Sequence, residues 1–282
     1  MQILTSPQEL AALCRQWRKD GERIALVPTM GYYHAGHESL MARGRELGSK
    51  LVVSLFVNPT QFGPNEDLAA YPRDHERDAA IARKQGADVL FIPEEGSMYA
   101  PDHATWVEVP DMARGLCGAS RPIHFRGVCT VVMKLFWLVQ PDVAVFGQKD
   151  WQQQAIIRRM VRDMNVPVQI ETQPTMREAD GLAMSSRNVY MTEAERAQAP
   201  QLRQGLELAR RLAAQGETSA ARLRDAVLLY WAEHLPLGRL DYLSVVDADS
   251  LEPLDTLNGR GLMACAVHMG KARLIDNILL QD

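Results

Sequence analysis

No two of the four cysteines in this chain, Cys14, Cys117, Cys129 and Cys265, stand at C-x-x-C spacing. That pattern argues against a zinc site or a disulfide framework and for reduced thiols in the cytosol. Positive charge is not in excess either. The formal net charge is −4, which excludes a mainly electrostatic nucleic-acid binder while leaving room for a local basic site that grips a small anion. No apolar run approaches the roughly 20 residues of a membrane span, so no membrane partner is expected. Met1 to Glu9 lacks a basic stretch followed by an apolar one, so a secretory signal is not expected and a cytoplasmic location is. Internal repeats and low-complexity segments are also lacking.

What is present is a chain of 282 residues, 46% hydrophobic and 23% charged, long enough for one large domain or two moderate ones. The first two-thirds alternate apolar runs with helical patterns. Strands are expected at Arg23 to Val27, Leu51 to Val57, Ala87 to Ile92, Val143 to Phe146 and Val166 to Ile170. Helices are expected from a Ser6-Pro7-Gln8-Glu9 cap to about Arg18 and over His37 to Leu47, Asp74 to Gln85, Gly127 to Val139 and Trp151 to Met164. Such alternation predicts right-handed βαβ units and an α/β fold, a Rossmann-like parallel sheet with helices on both faces. The tail has a different rhythm. A helix from Thr192 to about Ala214, kinked or offset at Pro200, and a second over Thr218 to Glu233 precede strand candidates at Leu240 to Val246, Gly261 to Val267 and Ala272 to Ile278. This predicts a smaller C-terminal α+β domain, with the chain divided into 1–175 and 176–282. Residues 96 to 125 carry no clear period.

Four polar clusters follow the apolar strands: Met30 to His37, Asn58 to Phe62, Gly147 to Gln153 and Thr175 to Asn188. In a parallel sheet these fall beyond the carboxyl ends of the strands, where open α/β sheets bind ligands. In the first cluster, His34-Ala35-Gly36-His37 sits at a helix mouth after Pro28-Thr29-Met30-Gly31. Histidines three apart can grip phosphate oxygens and stabilise charge on a leaving pyrophosphate, helped by the helix N-terminus. The plainer alternative is that one histidine caps the helix and the other is exposed. In Phe146-Gly147-Gln148-Lys149-Asp150-Trp151-Gln152-Gln153, Gly147 permits close backbone approach and Lys149 supplies a point charge for phosphate. Asp150 and Gln153 stand at capping spacing and can serve the helix as well as a ligand. Met184-Ser185-Ser186-Arg187-Asn188 offers hydroxyls and an arginine fork that can close over phosphates, or is an ordinary Ser/Asn turn. Asn58 and Gln61 place uncharged amides beside the apolar Phe62, suited to the hydroxyl and carboxylate groups of a small polar substrate, or the segment is a Pro-Gly loop with incidental amides. Arg121 could hold a carboxylate or phosphate, or be a solvated loop charge. Asp74 to Asp78 is most simply a solvated helix face, or charges near a helix start.

Taken together, these segments resemble the pantothenate synthetase (pantoate–β-alanine ligase) family, within the superfamily of nucleotidylyltransferases that carry an HxGH signature. The resemblance rests on Pro28-Thr29-Met30-Gly31, His34-Ala35-Gly36-His37, Phe56 to Phe62, Gly147 to Gln153 and Asp180 to Asn188, in order along the chain. It implies an enzyme that condenses pantoate with β-alanine through a pantoyl adenylate, with ATP as substrate, Mg²⁺ as its ion and a homodimer as its assembly. It further implies that His37, His34, Lys149 and Arg187 act on the phosphates. Met30, Gly31, Gly36, Gly147, Gln148, Asp150, Met176, Met184, Ser185 and Ser186 would line the ATP site, with Met176 contacting adenine through its backbone. Gln61 and Gln153 would hold pantoate, with Asn58, Arg121 and His124 nearby. Trp151 is expected to pack. Protein ligands for the metal do not emerge. Two rivals remain open: an adenylyltransferase with a nucleotide or phosphopantetheine acceptor, and an ATP-binding protein on the same fold that has lost catalysis.

Overall fold

The computed structural model describes residues 1–64 and 66–281; Asp282, the last residue of the expected second domain, lies outside them. The chain forms two compact units. The first comprises Met1–Pro110, Arg121–Gln148 and Ile156–Pro174, and the second Asp111–Ser120, Lys149–Ala155 and Thr175–Asp282. The long cut falls at Pro174/Thr175, and two earlier segments also group with the C-terminal unit.

The first unit is built on six strands: β1 (Gln2–Leu4), β2 (Ile24–Thr29), β3 (Lys50–Leu55), β4 (Val89–Phe91), β5 (Val143–Gly147) and β6 (Gln169–Gln173). They form one sheet in the order β1-β4-β3-β2-β5-β6, and every pairing is parallel. Helices connect them: α1 (Pro7–Lys19), α2 (Ala35–Leu47), α3 (His75–Lys84), α4 (Glu95–Met98), α5 (Pro110–Ala113), α6 (Cys117–Ser120), α7 (His124–Val139) and α8 (Trp151–Asp163). The central strand β2 explains its own sequence. Ile24, Ala25, Leu26 and Val27 are all fully buried, because a parallel sheet is covered on both faces and reads as a continuous apolar run. Ala25 and Val27 pack with Met41 of α2 and with Ala79 and Ala82 of α3. On the sheet's other side α1 and α7 lie against β2.

Strand order runs outward from β2 through β3 to β4, then resumes on the other side with β5 and β6. The reversal between β2 and β5 is a topological switch point, and crevices open at the carboxyl ends of such strands. The loop after β2 therefore begins where a ligand is best accommodated.

The second unit contains α9 (Glu193–Gln198), α10 (Gln201–Ala214), α11 (Ala220–His234) and an antiparallel sheet of β7 (Gly238–Asp247), β8 (Gly261–Met269) and β9 (Ala272–Leu279). Its core gathers Leu202, Leu206, Leu223, Val227 and Trp231 from the helices with Met263, Cys265 and Val267 from β8.

The expected parallel sheet and C-terminal α+β unit are present, with differences at particular elements. At Pro200, where a kink or offset is expected, the helix breaks into α9 and α10, and Pro200 stands as the N-cap of α10. No strand is expected from the sequence before Arg23, yet β1 forms a short edge strand paired only with β4. The last strand of the parallel sheet starts at Gln169 rather than Val166. Residues 96 to 125 contain short helices rather than one irregular loop. All four cysteines are free and buried.

Candidate active site

The loop after β2 takes an uncommon backbone path. Gly31 has φ +87° and Tyr32 φ +54°, and a left-handed conformation is costly for any residue with a β-carbon. A β-carbon at Gly31 would come within 2.9 Å of Asp78 Oδ2 and 3.1 Å of the Leu55 side chain. Asp78 explains how the path is held. The Tyr32 N–H donates to Oδ2 at 2.6 Å and the Tyr33 N–H to Oδ1 at 2.8 Å. The Arg77 guanidinium donates to the Tyr33 carbonyl at 2.8 Å and lies 5.3 Å from the Tyr32 ring centre. Burial pushes the Asp78 carboxyl up, while the two backbone N–H bonds pull it down.

Asp74 to Asp78 stand at a helix start, one of the two expected readings, while the other, a solvated face, fails at Asp78. Asp74 does cap α3 by accepting the Arg77 N–H, but Asp78 is fully buried. The signal was available in the helical phase: Asp78 lies four residues before the buried Ala82 and next to the buried Ala79, on the apolar face of α3.

From Tyr33 the chain passes directly into α2, which begins at Ala35, two residues before the expected start. His34 is the N-cap: its Nδ1 accepts the Gly36 N–H at 3.1 Å. His37 reciprocates, its Nδ1 accepting the His34 N–H at 3.3 Å. The rings lie 4.2 Å apart between centres. The capping and functional readings of these histidines are thus compatible. Because both Nδ1 atoms accept, the neutral rings carry their proton on Nε2. Each histidine then presents an N–H donor without first acquiring a proton.

A second group in the same unit surrounds Gln61, which lies in the 3₁₀ turn Pro59–Gln61 after β3. Gln61 and Asn58 are buried. Asn58 Nδ2 donates to Gln61 Oε1 at 3.2 Å and to the Gly127 carbonyl at 3.1 Å, and Gln61 Nε2 reaches Met30 Sδ at 3.1 Å. The structure thereby links two of the predicted clusters, Met30 and Gln61. His124 Nδ1 lies 3.1 Å from the Gln61 carbonyl. Arg121 also reaches that carbonyl, but its guanidinium is chiefly paired with both oxygens of Glu66. Gly127 is required by proximity, since a β-carbon there would fall 2.5 Å from the Thr60 carbonyl oxygen and 2.6 Å from the Gln61 backbone. At Gly147, the end of β5, a β-carbon would meet nothing within 4 Å, so protein packing does not demand glycine there. Gln148 follows and opens the 3₁₀ turn Gln148–Asp150.

The remaining predicted residues belong to the second unit. Lys149 is half-buried and its carbonyl accepts from Asn277 Nδ2 at 2.9 Å. Burial pushes the Lys149 ammonium below its usual range; Asp150 and Asp276 oppose that shift, and Arg187 and Arg177 reinforce it. Lys149 and Ser185 line one small cavity with Arg203 and Asp276. Ser185 caps the 3₁₀ turn Ser186–Tyr190, its Oγ accepting the Arg187 N–H, and Ser186 is buried. Met176 and Met184 are joined by the Met184 N–H donating to the Met176 carbonyl at 3.0 Å, across a hairpin that turns at Asp180-Gly181. Asp150 is exposed and Gln153 half-buried. Trp151 packs as expected, buried with its indole N–H on the Ala248 carbonyl at 2.8 Å.

Sequence reasoning missed three groups here. Gln152, beside the predicted Gln153, is buried and structural: it accepts the Cys117 N–H and donates to the carbonyls of Met112 and Gly115. Asn277 holds Lys149. Asp276 pairs with Arg177 through both oxygens, at 2.7 and 2.9 Å. Nothing in the pattern of β9 distinguished Asp276 and Asn277 from solvent-facing strand residues.

The sequence matches the pantoate-beta-alanine ligase family over residues 2–279. It is 73% identical to the pantothenate synthetase of Desulfovibrio desulfuricans, over the full length of both chains. It is 61% identical to that of Nitratidesulfovibrio vulgaris, over 99% of each. Among solved structures, a pantothenate synthetase from Thermus thermophilus superposes with a TM-score of 0.94 at 43% identity, covering 100% of both chains. The pantoate-beta-alanine ligase of Francisella tularensis, solved in complex with beta-gamma ATP and beta-alanine, gives 0.80 at 31% identity, covering 99% of this chain and 98% of that one.

Proposed function

The chain belongs to the pantoate-beta-alanine ligase family and is a ligase of that class, and we propose that it forms pantothenate in two steps through an acyl adenylate. In the first, a carboxylate oxygen of pantoate attacks the α-phosphorus of ATP and pyrophosphate leaves. In the second, the amine of β-alanine attacks the acyl carbon, and AMP leaves with that oxygen. Both steps need charge stabilisation and orientation more than a covalent enzyme intermediate.

The observation that carries the reading is the reciprocal cap of His34 and His37. It fixes both imidazole rings at the start of a helix, after the strand at the sheet's switch point. Donors fixed before the reaction stabilise charge on departing phosphate without reorganising. His37 and His34 are assigned to the phosphates as hydrogen-bond donors. Met30, Gly31, Gly36, Gly147 and Gln148 are assigned to the nucleotide from the first unit. From the second, Lys149, Arg187, Ser185 and Ser186 are assigned to phosphate oxygens, Asp150 to ribose hydroxyls, and the backbone of Met176 and Met184 to the nucleotide. Gln61 and Gln153 hold pantoate; Asn58 orients the Gln61 amide, and Arg121 and His124 buttress its backbone.

Among the described residues no group of three or more His, Cys, Asp or Glu side chains is placed to hold a metal ion. Mg²⁺, which the family resemblance implies, is proposed to arrive on ATP, where it would neutralise phosphate charge while keeping much of its water shell. Residues 1–175 are proposed as the ATP- and pantoate-binding domain and residues 176–282 as a lid. No described helix is long and apolar enough to cross a membrane; a cytoplasmic homodimer is the proposed state.

A pyrophosphate-release assay with ATP and Mg²⁺ tests the reading. Release should require pantoate, and pantothenate should form only when β-alanine is added. Gln61→Ala should raise KM for pantoate and leave ATP affinity nearly unchanged. Release that ignores pantoate, or an equal loss of both affinities, would refute the assignment.

A further inference from the structure

One buried carboxylate takes no part in the reaction above, yet grips the loop that carries both histidines. Asp78 is fully buried, and its two oxygens take the consecutive N–H groups of Tyr32 and Tyr33 at 2.6 and 2.8 Å. The left-handed residues Gly31 and Tyr32 aim these donors at one point, a backbone arrangement suited to an anion. Here the anion is the protein's own. Arg77, the preceding residue on α3, holds the Tyr33 carbonyl, so both polar groups of that residue are fixed from the same helix. Tyr33 is itself fully buried, and the next residue is the N-cap His34.

Chemistry restricts what can stand at position 78. Two N–H donors need two acceptors. A carboxylate provides them, whereas an amide would turn its own N–H₂ against one donor in a buried place, where an unsatisfied or clashing polar group is costly.

We propose that Asp78 is a positioning residue for the reaction: it fixes the path of residues 31–33 and through it the orientation of His34 and His37. The inference rests on the assignment of those histidines to the phosphates. Asp78 touches no reacting atom. Its influence passes along the backbone, and displacing a stabilising donor by about 1 Å costs on the order of 10²-fold in rate.

The test combines Asp78→Asn kinetics with ¹⁵N spectra of the histidine rings, assigned through His34→Gln and His37→Gln. In the unaltered protein both rings should give the Nε2–H tautomer. Asp78→Asn should lower kcat by about 10²-fold, leave KM for pantoate unchanged and shift or broaden both ring signals. Unaltered ring signals, a normal kcat, or a loss confined to KM for pantoate would overturn the inference. If Asp78→Asn fails to fold, Asp78→Glu takes its place, keeping the charge and moving it by one methylene. Displaced ring signals with a reduced kcat would support the inference, and undisturbed signals would overturn it. If the unaltered protein releases no pyrophosphate in response to pantoate, the proposed function fails by itself, while the ring signals still report whether Asp78 positions the histidines.

Discussion

The loop after β2 and the hairpin after β6 are both polar segments that follow a parallel strand, and they are held in opposite ways. The first is fixed from within: two left-handed residues, a buried carboxylate on their N–H groups, a buried Tyr33 and a reciprocal cap. The hairpin is anchored at its base by Arg177 on Asp276, but further along it relies on Arg196, which pairs with Asp180 and Glu178 at about a third exposure. Met176 is 40% and Val189 62% exposed. Exposed pairs contribute little, about 1 kcal/mol or less each, and are screened by salt. The difference fits the different work proposed for the two segments. Donors that stabilise developing charge must stand in place beforehand. A segment that closes after the nucleotide has arrived must be able to move.

The largest effect should come from the fixed segment. His37→Ala should lower pantoate-dependent pyrophosphate release about 10²-fold or more, far beyond the modest loss of stability expected from the missing cap bond; a rate near that of the unaltered protein would remove the loop from the chemistry. Gly31→Ala tests the same segment through its backbone. The left-handed φ and the 2.9 Å approach to Asp78 should cost about 1–3 kcal/mol in urea denaturation, together with much of the activity. Retention of both would mean that the loop is less constrained than its conformation implies.

Lys149 sharpens the contrast from the second unit. Burial lowers the pKa of its ammonium, so its charge is lost as pH rises through a range below that of an ordinary lysine. A rate that depends on the charge should fall along that alkaline limb, and Lys149→Arg should move the limb upward. An unmoved limb would assign it to another group. The smallest effect belongs to the hairpin: Arg196→Ala should cost about 1 kcal/mol or less at low salt and less still at high salt. A larger, salt-independent loss would mean that the hairpin is as rigid as the loop.

Much of this was legible in the sequence, for identifiable reasons. Ile24 to Val27 reads as a central strand because burial on both faces leaves an unbroken apolar run. The two histidines stand out because a helix mouth after a strand is where anions bind. The hidden parts obey weaker signals. β1 has three residues, with Ile3 half-exposed, and pairs on one side only, so neither length nor period reveals it. Asp78 sits in a run of charges, and only the phase of α3 shows that it turns inward. Gln152 and Gln153 are neighbours of one type, and burial alone separates them. Asp276 and Asn277 acquire partners from positions 99 and 128 residues away in the chain, distances over which local pattern carries no information.

The central claim is that the carboxylate of pantoate attacks the α-phosphorus of ATP. The most direct measurement is oxygen transfer from pantoate labelled with ¹⁸O in its carboxylate, followed by mass spectrometry of the nucleotide product. AMP should carry one labelled oxygen on its phosphate, with pyrophosphate unlabelled. Label recovered in inorganic phosphate, with ADP as the nucleotide product, would contradict it.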